Sequence, residues 1–174
     1  METIKVKIKK LHEDAVIPSY AHDTDAGLDL TAVSKHIDEY GNVVYGFGLA
    51  FEIPDGYVGL IFPRSSNHRH HLTLTNSVGV IDSGYRGEVT VKFSHNMKGF
   101  IPKHFSDRLI YLLTGKLRCL RAVALVNQEC TYDYQVGDRV AQMIIIPYPK
   151  IEFDEVSELS DSERGDGGYG STGN

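Results

Sequence analysis

The sequence predicts an all-β fold, and three observations support that prediction. Short stretches in which apolar and polar residues alternate recur along the 174 residues, and such alternation is typical of half-buried strands. Clusters of turn-forming residues, such as "PDG" at 54–56 and "DSG" at 82–84, separate these stretches. Few segments show the periodicity of an amphipathic helix. A chain of this length forms about one ordinary domain, so we expect a β-sandwich, jelly roll or barrel.

The predicted strands begin near the amino terminus. In "TIKVKIK", residues 3–9, Ile4, Val6 and Ile8 alternate with lysines, which predicts a half-buried strand near a sheet edge. Further strands are predicted at "NVVYGFGLAFEI", "YVGLIF", "HLTLT", "GEVTVKF", "RAVALV" and "RVAQMIIIP". The segment "FSDRLIYLLTGKLRCL" fits either a short helix with Ser106 as its N-cap or another pair of strands.

The negative charge of the chain is concentrated near its carboxyl terminus. The formal net charge is −5, but residues 151–166 contain seven acids and one base, which leaves 17 Lys and Arg against 16 Asp and Glu elsewhere. We therefore expect a neutral core over residues 1–150, with an insert at about 94–130, followed by an acidic connector and glycine-rich tail over residues 151–174. A neutral core argues against a nucleic-acid binder and permits a small anionic ligand.

The sequence also indicates a cellular location. No apolar run is long enough to span a membrane, and residues 1–10 lack the apolar centre of a signal peptide. We expect a cytoplasmic protein without a membrane partner. Cys119 and Cys130 lack metal-type spacing with each other, and we expect both to be free thiols.

Four polar segments are candidates for chemistry. In "GVIDSGYRGEVTVKF", a tight hairpin joins two strands, and Asp82 is either an ordinary turn residue or a functional carboxylate. The "PRSS" segment, residues 63–66, is either a plain loop or a strand end whose N–H groups, hydroxyls and guanidinium suit phosphate oxygens. Asp29 in "DAGLDL" and Gln142 in "GDRVAQM" fit either a site or the polar face of a sheet.

These segments and a fifth occur in one order along the chain. The five are "DAGLDL" (25–30), "PRSS" (63–66), "NSVGVIDSGYRG" (76–87), "GDRVAQM" (137–143) and "RGDGGYGSTG" (164–173). Together they resemble the five motifs of the trimeric dUTPase family, over about residues 3–93 and 131–174. The resemblance implies a jelly-roll (β-clip) homotrimer with a flexible glycine-rich C-terminal arm. It further implies hydrolysis of dUTP to dUMP and pyrophosphate, with Mg²⁺ on the triphosphate and each active site shared by three subunits.

The resemblance implies roles at the nucleoside end of the substrate. Asp82 would deprotonate the water that attacks the α-phosphorus. Tyr85 would pack under the deoxyribose and reject a 2′-hydroxyl group. Asn76 and the backbone at Val78 and Gly79 would read the edge of uracil, leaving no room for the methyl group of thymine or the amino group of cytosine.

The resemblance also implies roles at the phosphate end. Arg64, Ser65 and Ser66 would bind phosphate, with the Ser65 hydroxyl on the oxygen that bridges the α- and β-phosphates. Gln142 would position the attacking water, and Asp29 would hold the site together or bond a metal-bound water. Mg²⁺ would be held mainly by the substrate phosphates, with no direct protein ligand.

The glycine-rich tail is implied to be a lid that closes over dUTP in a neighbouring subunit's site. The implied contacts come from Arg164, Gly168, Tyr169, Gly170, Ser171 and Thr172. Tyr169, which stands where phenylalanine is commoner, would stack on uracil, and Arg164 would reach the γ-phosphate region. Glycine permits both the close backbone approach and the closing motion.

The residues after "PRSS" depart from the usual pattern of the family. Asn67 and His68 replace small and apolar residues. His68, His70 and His71 form either a metal-binding group or, as we expect, a solvated or trimer-facing loop.

Residues 94–130 form a longer segment than the simplest dUTPases need at this position. The segment carries six Lys and Arg against two acids. It forms either an extra hairpin or helix packed on the jelly roll or a docking surface for a regulatory protein. Inserts at this position occur in some phage dUTPases, which favours a phage or viral origin and then a host cytoplasm as the location.

Two other functions fit parts of the sequence. A dCTP deaminase of the same superfamily needs a glutamate to activate water at the cytosine ring, and Glu88 is the candidate by position. A regulatory binding protein acting through residues 94–130 would keep the fold while its enzymatic activity is incidental. The five ordered motifs favour dUTP hydrolysis over both.

Overall fold

The chain folds into antiparallel β-sheets. The computed structural model describes residues 3–95 and 133–168. The strands are β1 Lys7–Lys10, β2 Leu28–Thr31, β3 Ser34–Ile37, β4 Val43–Gly46, β5 Leu49–Glu52, β6 Tyr57–Pro63, β7 Leu72–Leu74, β8 Gly79–Ile81, β9 Thr90–His95 and β10 Arg139–Pro147. A 3₁₀ helix, Ser65–Arg69, follows β6. For the described residues, the all-β prediction is confirmed.

Two four-stranded sheets form the body of the fold. The first, with strand order β2–β10–β6–β8, is called the β10 sheet, and the second, with order β3–β4–β9–β7, is called the β9 sheet. Strand β1 pairs separately with β5. All these pairings are antiparallel.

The first strand agrees with its prediction. Ile4, Val6 and Ile8 are half-buried, whereas the lysines between them are exposed. Lys7 Nζ lies 2.7 Å from Glu52 Oε1 across the β1–β5 ladder, and this hydrogen bond lowers the pKa of the Glu52 carboxyl. The alternation therefore separates a core face from a solvated face.

The core combines side chains from both sheets. Its largest fully buried members include Tyr45 and Phe93 from the β9 sheet and Leu30 and Met143 from the β10 sheet. The rings of Tyr45 and Phe93 meet edge to face with centroids 6.0 Å apart. Burial raises the pKa of Tyr45 well above its ordinary value. Its hydroxyl donates to the carbonyl oxygen of Tyr134 at 3.1 Å.

Strand β3 is not among the predicted strands. Its sequence, "SKHI", is mostly polar and exposed, so hydrophobic alternation gives no signal there. The strand forms because it pairs with β4, with Ser34 opposite Gly46 and Ile37 opposite Val43. The turn between the two strands is held by backbone N–H groups that donate to the carboxylate of Asp38.

The predicted hairpin at Asp82 is wrong. Strand β8 pairs with β6 in the β10 sheet, whereas β9 pairs with β4 and β7 in the β9 sheet. Residues 82–88, which we call the Asp82 loop, therefore cross from one sheet to the other, and the next strand starts at Thr90. The pattern of two strands around a turn predicts their order but not their partners, and jelly rolls pair strands across long connections.

Residues 148–168 follow β10 as a largely exposed segment without strands. The side chains of Phe153 and Leu159 are 92% and 88% exposed. Within residues 3–95 and 133–168, no helix is long and apolar enough to cross a membrane. The predictions for residues 96–132, including Ser106 and the two cysteines, and for residues 169–174 lie outside the described residues. The division of the chain at residue 150 stays a prediction.

Candidate active site

Two arginines share one carboxylate at the end of the β10 sheet. Arg64, directly after β6, donates from Nε to Asp29 Oδ1 at 2.7 Å and from Nη2 to Oδ2 at 3.3 Å. Arg139, the first residue of β10, donates to Oδ2 at 3.0 Å. We call these residues the Asp29 cluster. Because two guanidiniums face one carboxylate, the cluster carries a net positive charge and suits a phosphate group.

Gln142 lies beside the Asp29 cluster in the middle of the sheet. Its backbone is opposite Asp29 on β2 and opposite Phe62 on β6. Its side-chain Nε2 donates to the carbonyl oxygen of Pro63 at 3.1 Å. A methyl group added at Gly27 would come within 2.6 Å of Gln142 Oε1. The glycine of "DAGLDL" therefore leaves the space that the Gln142 amide occupies.

The serines of "PRSS" begin the 3₁₀ helix. Ser65 is exposed, and its carbonyl oxygen accepts a hydrogen bond from His68 Nδ1 at 2.7 Å. Ser66 Oγ lies 3.3 Å from the hydroxyl oxygen of Tyr134. Of the two hydroxyls, the exposed Ser65 group is the better placed for a ligand, whereas Ser66 ties the helix to the residues before β10.

The histidines after "PRSS" contact other groups of the protein. The ring of His70 stacks on Tyr134 with centroids 3.7 Å apart, and His71 adopts a positive φ of 51°. In the part of the chain that the structure describes, no three His, Cys, Asp or Glu side chains are arranged to hold a metal ion. His68 and His70 thus have contacts with neighbouring protein groups.

The predicted uracil-binding residues form a tight turn before β8. Ser77 has a positive φ of 61°, and the N–H of Val78 donates to the carbonyl oxygen of Asn76 at 2.6 Å. Gly79 lies opposite Ile61 in the ladder, and a methyl group there would come within 3.2 Å of Ile61 Cβ. The turn therefore presents backbone groups and the exposed Asn76 at a crowded edge.

The Asp82 loop is closed by its own hydrogen bonds. The N–H of Tyr85 donates to the carbonyl oxygen of Asp82 at 3.1 Å. Arg86 Nη1 donates to the carbonyl oxygens of Ser83 and Tyr85 at 2.5 and 2.9 Å. The exposed Asp82 carboxylate is thus carried on a loop with a defined backbone.

A cleft of about 140 Å³ lies against this loop. The cleft is lined by Val80, Ile81, Asp82, Tyr85, Glu88, Val89 and Thr90. Pockets for drug-sized ligands usually measure about 300–1,000 Å³. The cleft therefore accommodates part of a nucleotide rather than a whole one.

The two groups of predicted site residues lie at opposite ends of β6. Ile81, the residue before Asp82, is opposite Gly59 near the start of β6, whereas Pro63, the residue before Arg64, is opposite Ala141 at its end. At about 3.3 Å per residue, the Asp82 loop and the Asp29 cluster are roughly 15–20 Å apart along the strand. One copy of the chain therefore does not bring Asp82 to Arg64, Ser65 and Gln142.

Only part of the predicted lid can be placed. Arg164 and Gly168 are exposed, and Arg164 Nε donates to the carbonyl oxygen of Gly167 at 2.9 Å. The predictions for Tyr169, Gly170, Ser171 and Thr172 lie outside the described residues.

The sequence prediction missed two residues that support the site, Arg139 and Gly27, and considered a third, Glu88, only as the glutamate of a deaminase. Arg139 completes the Asp29 cluster, and Gly27 leaves space for Gln142. Glu88 Oε1 accepts a hydrogen bond from the N–H of Gly48 at 2.9 Å and so ties the Asp82 loop to the start of β5. Arg139 lies in "GDRVAQM" and Gly27 lies in "DAGLDL", so their positions within these two motifs could have indicated a role in the site.

Comparisons with known proteins agree with the motif resemblance. The family model for dUTPase matches residues 13–109 and 103–173. The deoxyuridine 5′-triphosphate nucleotidohydrolase of Nautilia profundicola is 37% identical over 172 residues, which cover 98% of this chain and 99% of that protein. The protein of the same name from Thermobifida fusca is 35% identical over 98% of this chain and 80% of its own length.

Solved structures of phage enzymes share the fold. A mutant of the dUTPase of Staphylococcus bacteriophage 80alpha, with dUpNHpp, is 26% identical with a TM-score of 0.70, over 98% of this chain and 99% of that chain. This likeness confirms the predicted jelly-roll fold class. A mutant dUTPase from phage phi11 of S. aureus, in which a structural Mg(II) ion is coordinated, is 24% identical with a TM-score of 0.60, over 90% of this chain and 99% of that chain.

Proposed function

The chain belongs to the dUTPase family, and we propose that it hydrolyses dUTP to dUMP and pyrophosphate in active sites built from more than one copy of the chain. The observation that carries this proposal is the separation of the Asp82 loop from the Asp29 cluster along β6. Each group has the chemistry for one end of the nucleotide. In a closed homotrimer, the Asp82 loop of one copy faces the Asp29 cluster of the next.

The nucleoside end of dUTP binds between the turn before β8 and the Asp82 loop. Asn76 and the backbone at Val78 and Gly79 pair with the edge of uracil. Tyr85 packs under the deoxyribose and leaves no room for a 2′-hydroxyl group. The close approach of Gly79 to Ile61 supports this assignment, because a narrow turn excludes the methyl group of thymine.

Hydrolysis proceeds by attack of water on the α-phosphorus. Asp82 accepts a proton from the water as the water oxygen bonds to phosphorus. The bond from that phosphorus to the oxygen bridging the β-phosphate breaks, and its electron pair leaves with pyrophosphate. Gln142 orients the water, and the Ser65 hydroxyl donates a hydrogen bond to the leaving oxygen.

The Asp29 cluster binds the phosphate chain. Arg64 and Arg139 are held in fixed orientation by Asp29 and present their remaining N–H groups to phosphate oxygens, with Ser66 supporting the loop. Mg²⁺, when bound, neutralises part of the triphosphate charge. Both oxygens of Asp29 already accept hydrogen bonds from arginines, which supports an ion that would be held mainly by the substrate phosphates, with Asp29 bonding at most to a water of that ion.

The C-terminal arm closes the site from a neighbouring subunit. Arg164, Ser171 and Thr172 bind near the γ-phosphate with the N–H groups of Gly168 and Gly170. Tyr169 stacks on uracil. The exposure of residues 151–168 on the single chain supports an arm that makes its contacts elsewhere. A cytoplasmic location and a regulatory partner for the insert stay predictions.

The deaminase alternative is not supported. A deaminase would use Glu88 to activate water, but its Oε1 accepts a hydrogen bond from the backbone of Gly48. The curated relatives at 35% and 37% identity are named nucleotidohydrolases.

The proposed function is tested with Asp82→Asn. The amide keeps a hydrogen-bonding group of the same size but is not a base, so we expect dUTP binding to persist and turnover to fall on the order of 10²-fold or more. Pyrophosphate release from dUTP measures turnover, and titration with a non-hydrolysable dUTP analogue measures binding.

Asp14→Asn is the matched control, since Asp14 is an exposed carboxylate outside the proposed site. Wild type and this control should release pyrophosphate from dUTP and no ammonia from dCTP. Full turnover by Asp82→Asn would place the base elsewhere, and ammonia release from dCTP by the wild type would overturn the proposed reaction.

A further inference from the structure

The ring of Tyr85 rests directly on Gly87. A methyl group added at Gly87 would lie 2.5 Å from the Tyr85 hydroxyl oxygen, 2.7 Å from Cζ and 3.1 Å from Cε2. Carbon atoms do not approach other heavy atoms this closely without displacement, since van der Waals contact begins near 3.5 Å. Only glycine at position 87 therefore permits the observed position of the ring.

A hydrogen bond fixes the same ring from its other end. The Tyr85 hydroxyl donates to the backbone carbonyl oxygen of Glu88 at 3.0 Å. The Glu88 side chain in turn accepts the hydrogen bond from the N–H of Gly48. This second bond anchors Glu88 to the start of β5, so the acceptor that holds the tyrosine hydroxyl is itself held by another part of the fold.

We propose that Gly87 is a specificity-determining residue, and Glu88 a positioning residue, for the sugar-binding ring of Tyr85. The inference rests on the proposed function, in which Tyr85 packs under the deoxyribose. Gly87 leaves the space in which the ring lies flat against the loop, and Glu88 supplies the hydrogen bond that fixes its hydroxyl. Together they set how close the ring comes to the 2′ position of the sugar.

A side chain at position 87 moves the ring without unfolding the chain. The atoms that would clash belong to the end of the Tyr85 side chain, which rotates about two bonds. Tyr85 is 45% exposed and lies outside the core. The displaced ring therefore leaves its place under the sugar, while the packing of the two sheets is unchanged.

The test compares Gly87→Ala with Gly84→Ala. Gly84 lies in the same loop, and a methyl group there meets nothing within 4 Å, so it controls for adding a methyl group to the loop. We expect Gly87→Ala to raise KM for dUTP by about tenfold or more, the scale of one misplaced methylene in a pocket. We expect its preference for dUTP over UTP to fall by a similar factor, with the melting temperature close to that of Gly84→Ala.

The Tyr85→Ala background makes the test independent of general loop damage. Removing the ring removes all three contacts with an alanine at position 87, including the contact with Cζ that phenylalanine would keep. Adding Gly87→Ala should therefore change KM and the UTP preference less in Tyr85→Ala than in wild type. Equal effects in both backgrounds would mean that the alanine acts through something other than the ring.

Glu88 gives a second set of variants in case Gly87→Ala does not fold. Glu88→Ala loses the acceptor for Gly48, whereas Glu88→Gln keeps an oxygen in that place. We expect Glu88→Ala to weaken discrimination against UTP and Glu88→Gln to restore it. Unchanged discrimination in both Gly87→Ala and Glu88→Ala would overturn the inference. Absence of dUTP hydrolysis in wild type and Gly84→Ala would instead refute the proposed function.

Discussion

Asp29 acts as a common counter-charge for two arginines. Arg64 and Arg139 would repel each other if placed side by side alone, and both donate to the same carboxylate, which is about one-fifth exposed. A partly buried carboxylate strengthens such charge-assisted bonds and fixes the planes of both guanidiniums. Bidentate recognition of phosphate depends on those planes, so in the proposed function Asp29 contributes orientation rather than acid–base chemistry.

We expect Asp29→Asn to weaken dUTP binding while leaving the fold intact. The amide accepts fewer hydrogen bonds and carries no charge, and a charge-assisted hydrogen bond contributes about 1.5–3 kcal/mol. Loss of one such bond corresponds to a rise of about tenfold to about a hundredfold in KM for dUTP, since 1.4 kcal/mol is tenfold. Steady-state kinetics measure the change, with Asp14→Asn as the control. A lower KM would show that the added positive charge outweighs the loss of orientation.

The contact of Arg139 with Asp29 could not be predicted from the sequence pattern. The motifs predicted Asp29, Arg64 and Gln142, and these three do lie together. Strict alternation along a strand puts residues 139 and 142 on opposite faces of the sheet. The register of β10 against β2 shifts between Arg139 and Ala141, and Arg139 nevertheless reaches Asp29. Such an irregularity depends on the neighbouring strand, so the pattern of β10 alone does not predict it.

At the scale of an element, the turn between β3 and β4 is organised by a single carboxylate. Asp38 Oδ1 accepts hydrogen bonds from the N–H groups of Tyr40 and Asn42, and Oδ2 accepts from Asn42 Nδ2 and Lys92 Nζ, all between 2.9 and 3.2 Å. Desolvation raises the pKa of this carboxyl, but the four hydrogen bonds outweigh it and lower the pKa from 3.8 to about 2. The charged form is thus the one that holds the turn.

This shift predicts a pH-dependent stability contribution. Because the folded pKa lies below the unfolded value, the contribution is fully present above about pH 4 and is lost as the pH falls from 3.8 towards 2. We expect Asp38→Asn to have a lower melting temperature than wild type near neutral pH, with a difference that shrinks below pH 4. Thermal melts at several pH values measure it. A difference of constant size down to pH 2.5, or the same trend in Asp14→Asn, would contradict this origin.

The β3–β4 hairpin, compared with the other strands, shows which kinds of strand a sequence pattern can predict. Strands β1, β6 and β10 carry apolar residues on a buried face, so their alternation is visible. Strand β3 has almost no buried face and depends on the Asp38 turn and on pairing with β4. Strand β8 was placed correctly but assigned to the wrong neighbour, because local pattern carries no information about which distant strand completes a ladder.

At the scale of the whole molecule, the proposed function makes one chain an incomplete enzyme. The Asp82 loop and the Asp29 cluster lie at opposite ends of β6, roughly 15–20 Å apart along the strand. No rotation of side chains spans this distance. The exposed apolar residues Phe153 and Leu159 after β10 are consistent with an arm that packs on another copy. Assembly, in the proposed function, is therefore a condition of catalysis and not only of stability.

Mixing two inactive variants tests this arrangement directly. Asp82→Asn chains keep an intact Asp29 cluster, whereas Arg64→Ala chains keep an intact Asp82 loop, and each variant alone should hydrolyse dUTP poorly. If each site combines Asp82 from one copy with Arg64 from the next, random exchange of equal amounts gives about one site in four with both residues intact. We expect the mixture to recover up to about a quarter of the wild-type specific activity.

Mass spectrometry verifies that mixed oligomers form, and each variant carried alone through the same exchange procedure is the control. Mixed oligomers that stay inactive would show that Asp82 and Arg64 must come from the same chain, which would contradict the shared site inferred from the register of β6.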